Sequence, residues 1–178
     1  DEEANESWIR PKSKNEFNKY GFSEIDKLDS NISTLFDELN SKEFIELLED
    51  KFEIKNIIKE NRSLLGAGVH RIKDNGFLSL HTDFNMYEHP QYGFIDRRLN
   101  LLLYMNKDWE DSYNGHLLLC DKDKKKIIKK IKPNINNCII FETTNKSIHG
   151  HPLRLSSNNR DRNSIAVYYY TKNENNGE

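Results

Sequence analysis

The sequence predicts a mainly β fold, a jelly roll preceded by helices, and three observations carry that reading. After Asn61 the apolar residues fall in short runs broken by Gly, Asn, Asp and Lys clusters, the pattern of an all-β sandwich or barrel. Residues 33–52 instead place apolar side chains at helical spacing. No period of about 20–50 residues recurs, which argues against a solenoid. A chain of 178 residues suits one domain, in which a single core buries about 70% of the unfolded surface.

Residues 1–20 are polar, with Trp8, Phe17 and Tyr20 as isolated anchors. They read as an irregular lead-in, so residues 1–32 are expected to pack on a domain spanning 33–178. In "STLFDELNSKEFIELLEDKF" (33–52), Leu35, Phe36, Leu39, Phe44, Leu47 and Leu48 form an apolar helical face, and Ser41 fits an N-cap between two helices. The runs "GAGVHRI", "GFLSLHTDF", "RRLNLLLYMN", "GHLLLCD", "KIIKKIKP", "NCIIFETT" and "SIAVYYYT" give about seven or eight strands. Two facing antiparallel sheets accommodate that count, with the helices packed on one of them. "DKDKKKIIKK" reads as a solvated hairpin and the tail "KNENNGE" as a frayed end.

The 27 Lys and Arg nearly balance the 29 Asp and Glu, and a net charge of −2 gives no field that argues for nucleic acid or an anionic membrane. No apolar run of about 18 residues is present, and no signal peptide is visible. The sequence starts at Asp1 rather than Met, so a trimmed start is expected and a removed leader stays open. Cys120 and Cys138 each sit in an apolar stretch, which predicts buried free thiols, a reducing compartment and a cytoplasmic protein.

The chemistry starts in "LSLHTDFN" (78–85). Side chains two apart on a strand point the same way, so His81 and Asp83 project together. An imidazole nitrogen and a carboxylate oxygen suit one divalent ion, with a third ligand from elsewhere. His149 in "SIHGHP", after the strand "NCIIFETT", offers that ligand, and His151 in the same segment is its rival. Two histidines and a carboxylate leave metal positions open, an arrangement suited to non-haem Fe(II) and dioxygen. In "RDRNSIAVYYYT", Arg162, Ser164, Ala166 and Tyr168 share one strand face. A guanidinium fork beside a hydroxyl suits the far carboxylate of a dicarboxylic ligand.

These pieces resemble the Fe(II)/2-oxoglutarate-dependent oxygenases, in the prolyl 4-hydroxylase-like branch. "GFLSLHTDFN", "RRLNLLLYMNKDW", "NGHLLLCD", "SIHG" and "RNS" occur in the family's order. "FDELNSKEFIELLEDKF" and "GAGVHRI" look like the helical lead-in of bacterial and phage members. The resemblance implies a double-stranded β-helix, the cupin-like jelly roll. It further implies iron on His81, Asp83 and His149, and 2-oxoglutarate held by Arg162, Ser164 and Tyr104. Arg97, Arg71 and Tyr168 fall where members position substrate. Departures are His116 after Gly115, where Gly is frequent, and a longer spacing from His149 to Arg162; both bear on loop geometry more than on the triad.

The activity so implied is hydroxylation of an unactivated C–H bond with Fe(II), 2-oxoglutarate and dioxygen, ascorbate being an optional addition. The substrate is a peptide or a small molecule. Peptidyl proline comes first, with a free amino acid or a glycan as alternatives. The competing class is a jelly-roll binding module with a structural metal or none, which has no need of the Arg-x-Ser strand.

Overall fold

The alternating runs build strands largely where they fall. The computed structural model describes Trp8 and residues 14–59, 67–123 and 126–173. The strands are β1 (Glu16–Phe22), β2 (Gly68–His81), β3 (Met86–His89), β4 (Gly93–Tyr104), β5 (Leu117–Cys120), β6 (Ile127–Ile131), β7 (Cys138–Glu142), β8 (Ile148–His151) and β9 (Arg162–Lys172). Two α-helices, α1 (Ser30–Leu39) and α2 (Lys42–Phe52), precede β2. The expected frayed tail beyond residue 173, and residues 1–13 apart from Trp8, lie outside the described residues.

The strands form a large antiparallel sheet in the order β3-β4-β9-β2-β8-β5-β6, with β1 on β2 and β7 on β4. Instead of two separate sheets, the ladders are joined through β2. Its first half, Gly68–Ile72, pairs with β9, and its second half reaches β8 through Leu78 and His81. Gly68–Ile72 of the run "GAGVHRI" and Gly76–His81 of the run "GFLSLHTDF" thus belong to one strand. The turn-forming pair Asn75-Gly76 between them does not end it, because Asn75 takes φ 61° and its N–H donates to the Leu155 carbonyl at 3.0 Å.

Three strands were not expected as strands. β1 lies in the supposed irregular lead-in and pairs along β2 from Glu16 to Phe22. Asn18 at φ 49° marks a shift of register between Phe17 and Lys19, and a bulge of this kind erases the period-two pattern. β3 and β8 are four residues each, too short to show a period. The β5–β6 hairpin is as expected, with β6 mostly exposed. Cys120 is buried, but Cys138 is exposed, correcting the expectation of two buried thiols. Its strand β7 pairs with β4 only, so one edge lies open.

Capping follows the sequence. Ser41 Oγ accepts from the Phe44 N–H at 3.2 Å, and the Asp29 carboxylate accepts from Asn31. Phe36 and Leu39 of α1 and Ile45 and Leu48 of α2 join Leu99 and Leu101 of β4 and Ile165, Val167 and Tyr169 of β9 in one buried cluster. The Tyr169 hydroxyl donates to the Leu39 carbonyl at 2.8 Å. Since strand side chains alternate, burying these residues turns Asn100, Leu102, Arg162, Ser164 and Tyr168 to the other face, where they line a cavity. No described helix is long and apolar enough to cross a membrane.

Candidate active site

His81 ends β2, Asp83 follows in the adjoining loop, and His149 lies on β8 directly opposite His81. The ligating atoms of these three residues all lie within 4.8 Å of one another. His81 Nε2 is 3.4 Å from Asp83 Oδ1, and His149 Nε2 is 3.5 Å from Asp83 Oδ2. Each imidazole is oriented from behind: His81 Nδ1 lies 2.8 Å from the Ser79 carbonyl and His149 Nδ1 2.9 Å from that of Ser147. A carbonyl only accepts, so Nδ1 carries the proton in each ring, and the neutral form presents its Nε2 lone pair inward.

Asp83 is held by two further residues of β4. Asn100 Nδ2 donates to Asp83 Oδ2, and Arg97 Nη1 is 3.4 Å from the same oxygen. Residues three apart on a regular strand face opposite ways; here the β4–β9 register shifts between Arg97 and Leu99, so both reach one carboxylate. Thr143 Oγ1 donates to Asn100 Oδ1 at 3.4 Å, which fixes the amide. The Arg97 guanidinium also lies 3.9 Å from the Tyr168 ring centroid.

The electrostatics follow from this packing. Burial would raise the Asp83 pKa, but hydrogen bonding to His81 and the charges of His149 and Arg97 outweigh it, and the carboxyl is held well below its usual range. Burial opposes the charge on His81, yet Asp83 and the Ser79 carbonyl raise its pKa overall. For His149 burial prevails and the pKa falls despite Asp83. Burial likewise raises the Tyr104 hydroxyl and the Tyr168 hydroxyl above the ordinary phenol range.

Farther along the cavity stands Arg162, 4% exposed. Its Nε donates to the Gly115 carbonyl at 2.7 Å and its Nη2 to the Tyr104 hydroxyl at 3.1 Å. Gly115 takes φ +72°, and a Cβ there would lie 2.6 Å from Leu155 Cδ2 and 3.1 Å from Arg162 Cδ, so the carbonyl reaches the guanidinium only because no side chain intervenes. Arg160, by contrast, is exposed and donates to the Asp108 and Lys107 carbonyls. The stretch "YMNKDW" serves as scaffold around this end. Asn106 donates to the Pro133 and Asn163 carbonyls and accepts from the Asn163 N–H, and Trp109 Nε1 donates to the Asn114 carbonyl.

His81, Asp83, His149, Arg162, Ser164 and Tyr168 line one cavity, and Tyr104 touches Arg162 from behind it. Arg97 reaches the cavity through Asp83 and Tyr168. Arg71 is not brought there; it sits out of phase with His70 and Ile72 on β2, 3.4 Å from the Asp161 carboxylate and under the Trp8 ring. His116 takes no part in the cavity either, its Nε2 lying 3.1 Å from Asp111 Oδ1. Asn100 is the functional neighbour that the sequence reading passed over. Its signal was an amide inside the apolar run "LNLLLY", in phase with Tyr104.

The donor set fits a divalent iron and a dicarboxylate. Two imidazoles and one carboxylate converge with lone pairs inward, and a buried guanidinium with unused N–H groups faces the same space.

Comparison with known proteins agrees. No curated protein sequence matches the chain. Among solved structures, the viral collagen prolyl hydroxylase of Paramecium bursaria Chlorella virus-1, in complex with 2-oxoglutarate, is 17% identical with a TM-score of 0.53, over 78% of this chain and 72% of that one. HygX from Streptomyces hygroscopicus, with nickel and 2-oxoglutarate bound, is 11% identical with a TM-score of 0.54, over 94% and 74%. A Pseudomonas putida prolyl-4-hydroxylase is 14% identical with a TM-score of 0.50, over 93% and 71%. At these identities the likeness is one of fold. The sequence itself matches the 2OG-Fe(II) oxygenase superfamily over residues 67–170, more than half of the chain and the whole of the cavity apart from β1. The activity is accordingly that of a 2-oxoglutarate-dependent dioxygenase, with Fe(II) and 2-oxoglutarate as its groups, and the chain belongs to the 2OG-Fe(II) oxygenase superfamily.

Proposed function

We propose that this dioxygenase is a prolyl 4-hydroxylase-like hydroxylase, with peptidyl proline as first substrate and His81, Asp83 and His149 as its iron ligands. One observation carries the site assignment: a single cavity has the His-Asp-His cluster at one end and the buried Arg162–Tyr104 pair at the other. When bound, iron with 2-oxoglutarate and dioxygen supplies the oxidising power that hydroxylates a C–H bond, with release of succinate and carbon dioxide.

The chain's own residues position and exclude. Asn100 and Arg97 orient the Asp83 carboxylate, and the Ser79 and Ser147 carbonyls aim the two imidazoles. Arg162 grips the distal carboxylate of 2-oxoglutarate, with Ser164 beside it, while Tyr104 and the Gly115 carbonyl hold the guanidinium plane. Arg97 and Tyr168 face the substrate. Phe84, next to Asp83 in the chain and 85% exposed, gives a peptide an aromatic surface beside the metal. The helices α1 and α2 back the β4–β9 face as in a double-stranded β-helix, a reading supported by their shared core. Residues 1–32 belong with 33–178 in one domain, which the pairing of β1 on β2 supports. A cytoplasmic setting completes the reading and is supported by Cys120 and Cys138 forming no disulfide among the described residues.

The experiment is succinate formation by the Fe(II) protein across proline peptides, free amino acids and saccharides, with mass spectrometry for one added oxygen. Oxygen added to a proline peptide supports the reading; addition only to a free amino acid or a saccharide overturns the substrate and keeps the chemistry.

A further inference from the structure

His151 is the buried ionisable group that the site as described leaves unused. It is 3% exposed, lines the cavity, and neither of its ring nitrogens has a hydrogen-bond partner among the described residues. A histidine serving only as core packing has its nitrogens satisfied by the protein, since bare buried polar atoms are costly. It is also not a fourth member of the metal cluster, which contains His81, Asp83 and His149.

Its position is set by register. Along β2, His81 faces His149, Leu78 faces His151, and Ile72 faces Arg162. His151 therefore stands between the triad and Arg162, on the flank of any ligand spanning the two. β8 is locked in that place: a Cβ on Gly150 would lie 2.6 Å from the Ser79 carbonyl oxygen and 2.9 Å from that of Leu78. The His151 and Arg162 side chains line the same cavity. Arg162 has committed Nε to Gly115 and one Nη2 proton to Tyr104, so its remaining N–H groups and the imidazole N–H of His151 belong to one cavity lining and have no acceptor among the described residues.

We propose that His151 is a further cosubstrate-binding residue, whose imidazole N–H donates to the distal carboxylate of 2-oxoglutarate beside the Arg162 guanidinium. The inference rests on the reading of this cavity as the 2-oxoglutarate site. One carboxylate then gives an acceptor to both donors, and the orphaned ring nitrogen is explained by its ligand.

The test is calorimetric titration of 2-oxoglutarate, and of 2-oxobutanoate, which lacks the distal carboxylate, into Mn(II)-loaded wild-type protein and the His151→Leu, His151→Asn and Arg162→Ala variants. Loss of one hydrogen bond to a charged group predicts about 10–100-fold weaker 2-oxoglutarate binding for His151→Leu. Partial recovery is expected in His151→Asn, with unchanged Mn(II) uptake and unchanged 2-oxobutanoate binding in both. Wild-type affinity in His151→Leu overturns the proposal. So does equal weakening toward 2-oxobutanoate, which indicates a packing role, and so does loss of Mn(II), which makes His151 a metal ligand. If His151→Leu does not fold, the same comparison in His151→Asn decides between these outcomes. Should Arg162→Ala also bind 2-oxoglutarate normally, the cavity reading itself fails; a large loss there with none at His151 removes only this inference.

Discussion

Asp83 shows how one side chain is fixed before any ligand arrives. Its carboxylate meets His81, His149, Arg97 and Asn100, and of these only Asn100 cannot carry a charge, its amide N–H serving as an aimed donor. Asn100→Ala should therefore leave the charges in place and release the orientation, lowering metal affinity about 10–100-fold, as read by Mn(II) titration of the purified variant. Unchanged affinity would show that Arg97 alone orients Asp83. At the other end, Arg162→Ala removes the buried cation proposed to grip the distal carboxylate of 2-oxoglutarate. Breaking such a pair costs about 3–5 kcal/mol, so the 2-oxoglutarate requirement for succinate formation should rise by roughly two to three powers of ten while metal binding persists. Arg160→Ala should be nearly neutral, because its exposed guanidinium meets only loop carbonyls. The triad and Arg162 were legible because their spacing and order survive in the chain. Asn100 was passed over although its phase with Tyr104 carried a signal, whereas no rule of alternation brings Arg97 to the same carboxylate, since the register shift before Leu99 is visible only in the paired strands.

At the scale of elements, β8 carries the site and explains its own obscurity. All four of its residues, "IHGH", are buried, yet two of them are histidines turned to the cavity, so the strand lacks the apolar alternation that reveals its neighbours. Function overrides the pattern there. β1 was hidden for a different reason, the irregularity at Asn18, and β3 by its length alone. The long strands β4 and β9 were plain because their core residues, Leu99, Leu101, Ile165 and Val167, are all fully or nearly fully buried. The close approach of β8 to β2 yields a prediction. In Gly150→Ala the new methyl would meet the Ser79 and Leu78 carbonyl oxygens, which are backbone atoms with little room to yield. The strand must move away from β2, and His149 with it. Expected are a loss of about 1–3 kcal/mol in denaturant unfolding and a larger proportional loss of metal affinity than the stability change alone produces. A variant that binds metal normally would show that β8 has slack.

Across the whole molecule, the packing that stabilises the sheet also prebuilds the site. Residues of one face of β4 and β9 share a buried cluster with α1 and α2, and the opposite face presents Asn100, Arg162, Ser164 and Tyr168. The triad is oriented by bonds that involve no metal, from the Ser79 and Ser147 carbonyls and Asn100. The long strand β2 joins the ladders of β8 and β9, so the metal end and the Arg162 end are fixed by one element. Metal is thus expected to bind a folded protein rather than to fold it. Stripping with a chelator should leave the far-ultraviolet circular dichroism of the sheet unchanged. Resupplying a non-turning-over metal at about 100 times its Kd should then add about 2.7 kcal/mol by mass action. For a chain of this size that raises Tm by roughly 5–11 °C, with a further rise on adding 2-oxoglutarate. The Asp83→Asn protein should keep the stripped protein's spectrum and lose the metal-dependent rise. Collapse of the β signal on stripping would make the metal a structural element, and would remove the premise that the hydrogen bonds behind His81, Asp83 and His149 suffice to hold them in place.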